Sequence, residues 1–260
     1  MSNFQERQTI RDSWASESTS PPQTKVIFLL GTIGNLTNDL QTNVTRESDV
    51  HDDILQEDFI DSYANLTVKS LMLLKWFSQS CKNVPYVLKT DDDVYINLKN
   101  LHALVTKNKK TNLLMGTLIC GGTPIRDPYN KWFSPKYMYG KKRYPNYLSG
   151  TAYLMSRSIT STLYEAALET PVFHMEDIFI TGILAQSIGV RPEDNVGFSY
   201  IKRRATPCLY VQTISSHHLS MGEMKDMYKK VNEKQGKCTP LKKKFLRTYG
   251  PGRCTWVPPK

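Results

Sequence analysis

Two acidic clusters hold the side chains best suited to chemistry. The first is the triplet Asp91, Asp92 and Asp93 in "VLKTDDDVYIN", which follows an apolar, β-branched run and gives way at once to Val94, Tyr95 and Ile96. Carboxylates this close repel one another, so the triplet requires water or a positive partner. The bland reading is a solvated acidic turn. At the rim of a sheet, however, alternating orientation can place two oxygen donors on one side, a hard-cation site suited to Mn²⁺ or Mg²⁺. Such an ion would neutralise charge on a departing diphosphate. The second cluster is Glu176 and Asp177 in "HMEDIFITGILAQSIG", at the start of a helical pattern carrying Ile180, Ile183, Leu184 and Ile188 and ending at Gly189. Acids there complement a helix dipole. They are equally placed to act as a general base toward an acceptor hydroxyl.

The elements that must carry these clusters follow from hydrophobic periodicity. Short apolar runs alternate with helical patterns, which predicts an α/β fold on a mixed, mostly parallel sheet flanked by helices. Val26 to Leu30 reads as a buried strand closed by Gly31, and Leu66, Ser70, Leu71, Leu74 and Phe77 recur at helical spacing between Tyr63 and Cys81. A strand over Val84 to Leu88 delivers the triplet to its carboxyl end, where open α/β sheets bind ligands. A helix over about Leu98 to Lys107 and a strand over "NLLMGTLI" come next.

Composition narrows the classes. The 260 residues carry a formal charge of +10, but residues 225 to 260 hold 11 Lys and Arg against 2 Asp and Glu, leaving 23 against 22 for residues 1 to 224. The basic character therefore belongs to the end of the chain. It divides a catalytic-size domain, 1–224, from a basic and partly disordered tail, 225–260, and argues against a nucleic-acid protein built around its core. Cys81, Cys120, Cys208, Cys238 and Cys254 lie too far apart for a CxxC zinc signature, and an odd count leaves one thiol unpaired within the chain. Asn35-Leu-Thr, Asn43-Val-Thr and Asn65-Leu-Thr are glycosylation acceptors if the chain meets the secretory lumen. No apolar run nears the ~20 residues of a membrane span, and the first residues form no signal-peptide core.

Seven blocks then carry a resemblance. "ERQTIRDSW", "VIFLLG", "DILQEDFIDSYANLTVKS", "LKTDDDVYIN", "KWFSPKYMYGKKRYPNYLSGTAYLMS", "MEDIFITG" and "SSHHLSMGEM" occur in the order seen in the β-1,3-galactosyltransferase family, which includes β-1,3-N-acetylglucosaminyltransferases. The chain resembles arthropod-type members most, through "YEAALETPVFHMED" and "GILAQSIGV". The resemblance implies a Rossmann-like nucleotide-sugar fold of the GT-A kind, a UDP-sugar donor, a glycan acceptor, Mn²⁺ or Mg²⁺, inversion at the transferred sugar, and lumenal residence in the Golgi membrane. In relatives a hydrophobic strand, a stem and a membrane anchor precede the region where this sequence starts.

Carried over residue by residue, Asp91 to Asp93 match the family's DxD motif, with Asp93 on the metal and Asp91 on the sugar or ribose side. Asp92, Lys89, Arg7 and Arg11 complete the donor set, although packing around Trp14 explains the arginine block equally well. His217 matches a late histidine and is implied as a second metal ligand, while His218 reads as a surface histidine. Asp177 matches the base, with Glu176 as its understudy. Lys131, Trp132, Tyr147 and Gly150 match the block on the acceptor side. Many relatives have cysteines where this chain has Leu148 and Leu184, a paired change that leaves no orphan thiol. The reading is thus transfer of galactose from UDP-galactose to a 3-hydroxyl in β-1,3 linkage. Its alternatives are N-acetylglucosamine transfer, an inactive sugar-nucleotide-binding relative, and a nucleic-acid or acidic-partner protein using the basic tail.

Overall fold

The computed structural model describes residues 1–19, 24–33, 38–108, 110–234, 237–242, 246 and 254. The fold is α/β, with mixed sheets flanked by helices. After α1 (Phe4–Arg11), β1 (Phe28–Thr32) and β2 (Ile54–Ile60) run parallel, joined by α2 (Asn38–His51) as the crossover that parallel strands require. The main sheet has the order β3-β6-β5-β7, built from β3 (Tyr86–Thr90), β6 (Tyr147–Ser156), β5 (Leu114–Ile119) and β7 (Glu193–Asp194). A third pair, β4 (Tyr95–Ile96) and β8 (Ser215–Ser216), is antiparallel.

The expected mostly parallel sheet is corrected in one respect. β6 runs antiparallel to both of its neighbours, and among the described strands only β1–β2 and β5–β7 pair in parallel. The physical reason is the β5–β6 connection: residues 120–146 contain no helix to carry the chain across a sheet face.

Period-two alternation along β6 divides the core. Ala152 and Leu154 join Ile10, Trp14, Val94, Ile96 and Tyr210 on one face. Tyr153 and Met155 join Leu74, Leu163, Phe179 and Leu184 on the other. The helix expected between Tyr63 and Cys81 is α3 (Leu66–Ser80), which buries Ser70, Leu74 and Phe77 and packs on α5 (Arg157–Leu168). α4 (Leu98–Lys107) has its expected bounds, and the Asn97 side chain accepts from Asn100 N–H to cap it. β3 begins two residues later than expected, after Pro85, so its end abuts the triplet directly.

The end of the chain is part of the fold for longer than composition suggests. Residues 225–234 belong to α9 (Met221–Lys234), which buries Met224, Met227 and Val231. Cys238 is paired with Cys208 and Cys254 with Cys120, leaving Cys81 free. Most of the Lys-rich run from 243 onward lies outside the described residues. Arg203, 2% exposed, donates to the carbonyls of Ser215, Val196, Gly197, Phe198 and Leu246 and so stitches the loop after β7 to β8.

Candidate active site

The triplet's three carboxylates go to separate partners. Asp91 Oδ1 accepts from Lys89 Nζ at 2.6 Å, Asp92 Oδ2 from Asn3 Nδ2 at 2.8 Å, and Asp93 Oδ2 lies 3.2 Å from His217 Nε2 and 3.5 Å from His218 Nδ1. Repulsion within the triplet is therefore offset by one ammonium, one amide and an imidazole pair.

The histidines arrive through a short antiparallel register. Tyr95 opposite Ser216 and Ile96 opposite Ser215 bring the next residues of β8 back alongside Asp93, and Leu219 N–H closes the turn on the Asp93 carbonyl. His217 Nδ1 bonds the Tyr200 carbonyl at 2.8 Å, which fixes the ring and aims Nε2 at Asp93. His218 sits in the left-handed region with φ 60, its ring stacked 3.8 Å from that of His217. Burial opposes the charged forms, but mutual contact wins: Asp93 is held below the usual carboxylate range and His217 above the usual imidazole range. Ligand atoms of Asp93, His217 and His218 all lie within 4.8 Å of one another, a nitrogen and oxygen donor set that fits a divalent transition ion. His218 is a surface histidine as expected, its side chain 70% exposed, yet it also reaches Asp93, a contact not read from the sequence. Its only signal was adjacency to His217.

The second cluster is built on α6 (Glu176–Ile178). This short helix runs on through a π-helical turn, Phe179–Leu184, into α7 (Ala185–Ser187), where the sequence predicted one regular helix. Thr181 organises the wide turn: its hydroxyl donates to the Asp177 carbonyl at 2.6 Å and accepts from Leu148 N–H at 2.8 Å. That pins the helix to β6 beside Tyr147 and Gly150. π-turns of this kind cluster at functional sites. Leu148 and Leu184, both fully buried, share the apolar cluster behind it.

Asp177 accepts from Gly150 N–H at 3.2 Å and from Ile178 N–H at 2.8 Å. Burial and the neighbouring Glu176 charge nevertheless raise its pKa to about 6, a value suited to a base near neutral pH. Glu176 is 6% exposed and accepts from Tyr153 O–H at 2.5 Å. Gly150 eases this approach, since a Cβ there would sit 3.2 Å from both Asp177 Cβ and Glu176 Oε2, tighter than an ordinary contact. Burial and the Asp177 charge push the Tyr147 phenol far up, so it stays protonated.

Trp132 and Lys131 lie on the 120–146 connection. Trp132, 46% exposed, donates from Nε1 to Tyr63 O–H at 3.1 Å, and Lys131 Nζ lies 4.5 Å from the Trp132 ring centre and 5.7 Å from that of Tyr63. Two exposed aromatic faces under one cation form a platform suited to the apolar face of a sugar. Tyr63, from the "DILQEDFIDSYANLTVKS" block, joins this platform without a sequence signal for it.

Arg7 and Arg11 are engaged elsewhere. Arg7 bonds Glu47 through Nε and Nη2, and Arg11 bonds Asp53 at 2.8 and 2.7 Å and Glu47 at 2.8 Å. These contacts clamp α1 onto α2 and the turn after it, and Asn3 sets the start of α1 against Asp92.

Comparison with known proteins identifies the family. Residues 5–196 match the family model described as galactosyltransferase. The chain is 35% identical to mouse beta-1,3-galactosyltransferase 1 over 236 residues, spanning 89% of this chain and 71% of that protein. It is 33% identical to human beta-1,3-galactosyltransferase 5 over 242 residues, spanning 91% and 77%. A solved glycosyltransferase involved in glycosylation of the major capsid of PBCV-1 aligns with a TM-score of 0.37 at 12% identity, over 79% of this chain and 100% of that one. That superposition is too loose to argue from.

Proposed function

Because the chain belongs to the galactosyltransferase family, we propose that it moves galactose from UDP-galactose to the 3-hydroxyl of an acceptor sugar with inversion at the anomeric carbon. The observation that carries the site assignment is the meeting of the two acidic clusters: Lys89 bonds Asp91 and also the carbonyl of Gly150, whose N–H holds Asp177. A donor-side carboxylate and a base therefore share one wall.

In this reading Asp177 accepts the proton of the acceptor hydroxyl as that oxygen bonds the anomeric carbon and the bond to the diphosphate breaks. Gly150 N–H and Ile178 N–H aim the carboxylate. Asp93, His217 and His218 would hold Mn²⁺, or Mg²⁺ less well given two imidazoles. A bound cation supplies charge neutralisation on the departing diphosphate. Asp91 and Asp92 take the donor's hydroxyls, and Lys131, Trp132, Tyr63 and Tyr147 take the acceptor. Arg7 and Arg11 are read as a brace under the donor site, because their donors go to Glu47 and Asp53. Golgi-lumenal residence is part of the proposal, supported by two disulfides, which suit an oxidising compartment. No described helix is long and apolar enough to cross a membrane, so any anchoring is assigned to sequence outside these elements.

The test offers UDP-galactose and UDP-N-acetylglucosamine in turn, with Mn²⁺ and acceptors bearing a free 3-hydroxyl, and reads the product linkage by NMR. A β-1,3-linked galactose product is expected. Transfer of N-acetylglucosamine instead would reassign the donor, and donor binding without any product would make the chain an inactive relative.

A further inference from the structure

Lys89 lies between the two halves of the site, and the sheet puts it there. In the β3–β6 register it stands directly opposite Tyr153, so both side chains project to the face that carries α6, while Leu88 joins the other core. Its ammonium lies 2.6 Å from Asp91 Oδ1, 2.5 Å from the Gly150 carbonyl and 3.8 Å from Glu176 Oε2. Glu176 Oε1 in turn accepts from Tyr153 O–H. The lysine side chain is 13% exposed and that of Glu176 5%, so water screens this pair poorly.

The groups facing Asp177 are Glu176 beside it on α6, Lys89 on β3, Tyr147 and Tyr153 on β6, and Tyr144 on the connection before β6. Burial and the nearby carboxylates hold all three phenols protonated around neutral pH. Among the described residues, the charges left to act on Asp177 are therefore the negative one next to it and the positive one behind it.

We propose that Lys89 and Glu176 are positioning residues for the base: a buried ion pair, braced by Tyr153, that sets the charge state and aim of the Asp177 carboxylate and ties it to the donor-side Asp91. The proposal rests on the reading of Asp177 as the base. Neither residue touches the reacting atoms. Lys89 favours the ionised base and Glu176 opposes it, and the Gly150 peptide carries the positional link, with its carbonyl on Lys89 and its N–H on Asp177. A pair of opposite sign beside a base lets the site keep a strongly basic carboxylate that is still ionised at neutral pH.

The experiment measures kcat against pH at saturating donor and acceptor for the wild type, Lys89→Met, Glu176→Gln and the double variant, with thermal melts alongside. Losing the cation should move the acidic limb upward by on the order of 1 pH unit, and losing the neighbouring anion should move it downward by a similar amount. The double variant should return it close to the wild-type position. A merely structural pair would lower rates and leave the limb where it is, and that result overturns the proposal. If Lys89→Met does not fold, the direction of the Glu176→Gln limb decides alone. Asp177→Asn separates the two levels: a dead Asp177→Asn with unmoved limbs removes only the positioning role, whereas normal transfer by Asp177→Asn removes the base reading beneath it.

Discussion

The proposed metal corner and the proposed base corner use carboxylates in opposite ways. Asp93 keeps considerable exposure and faces two imidazoles, which hold it ionised and below the ordinary carboxylate range. Asp177 lies against Glu176 under a roof of tyrosines, and its pKa rises to about 6. The same side chain is suited to ligate a cation where imidazoles and some water surround it, and to act as a base where burial and a like charge do. Construction differs in parallel. The metal corner comes from a loop and two-residue strands, whereas the base corner comes from a ten-residue strand and a helix pinned to it by Thr181.

The largest effect that tests this contrast is on chemistry. Asp177→Asn keeps the shape but loses the basic carboxylate, so kcat should fall on the order of 10²–10⁴-fold. Calorimetry should meanwhile find nucleotide-diphosphate affinity unchanged. Comparable losses in both quantities would mean that the two corners are not separable.

The second effect is on stability, and its sign is fixed by the raised pKa. The folded chain binds the Asp177 proton more tightly than the unfolded chain, whose value is near 3.8, so stability falls as pH rises from about 4 through 6. At pH 7.5 an Asp177→Asn chain should therefore be more stable, by up to about 3 kcal/mol. Below pH 4 the difference should vanish. Urea unfolding at both pH values checks it, and a difference that does not depend on pH would detach the gain from ionisation.

A smaller effect separates the two imidazoles. Mn²⁺ affinity, read by EPR, should drop at least about 10-fold in His218→Ala and further in His217→Ala, whose ring is held by the Tyr200 carbonyl. An unaltered affinity in His218→Ala would remove that residue from the donor set. Gly150→Ala should have the mildest effect. Its methyl group meets Asp177 and Glu176 at 3.2 Å, so the helix must give by a few tenths of an ångström and kcat should fall about 5-fold with little change in melting.

Much of this site was legible in the chain. Blocks around the triplet and "MED" marked both corners, and periodicity placed α3, α4 and β5 to within two residues. Strand direction was not legible, because a buried strand has the same apolar pattern in either sense. Nor was the π-helical turn: Ile180, Ile183 and Leu184 fit a regular helix, and the extra width appears only when Thr181 bonds β6. Composition misplaced the start of the tail, since Lys225, Lys229, Lys230 and Lys234 line the outside of a helix whose Met227 and Val231 are buried. The arginines of the first block looked suited to an anionic donor, yet Glu47 and Asp53 claim them.

By itself the sequence determined which residues could do chemistry and which lay near one another along the chain: an acidic triplet at a strand end, an acid pair opening a helix, and a histidine pair near the end of the catalytic region. Tertiary structure alone decided who their partners are. His217 and Asp93 are 124 positions apart and meet through two residues of β pairing, and Lys89 reaches Glu176 because β3 and β6 are antiparallel in one particular register. The reason is physical. Local pattern fixes the face a side chain occupies, but charge state depends on burial and on neighbours that only the folded chain assembles.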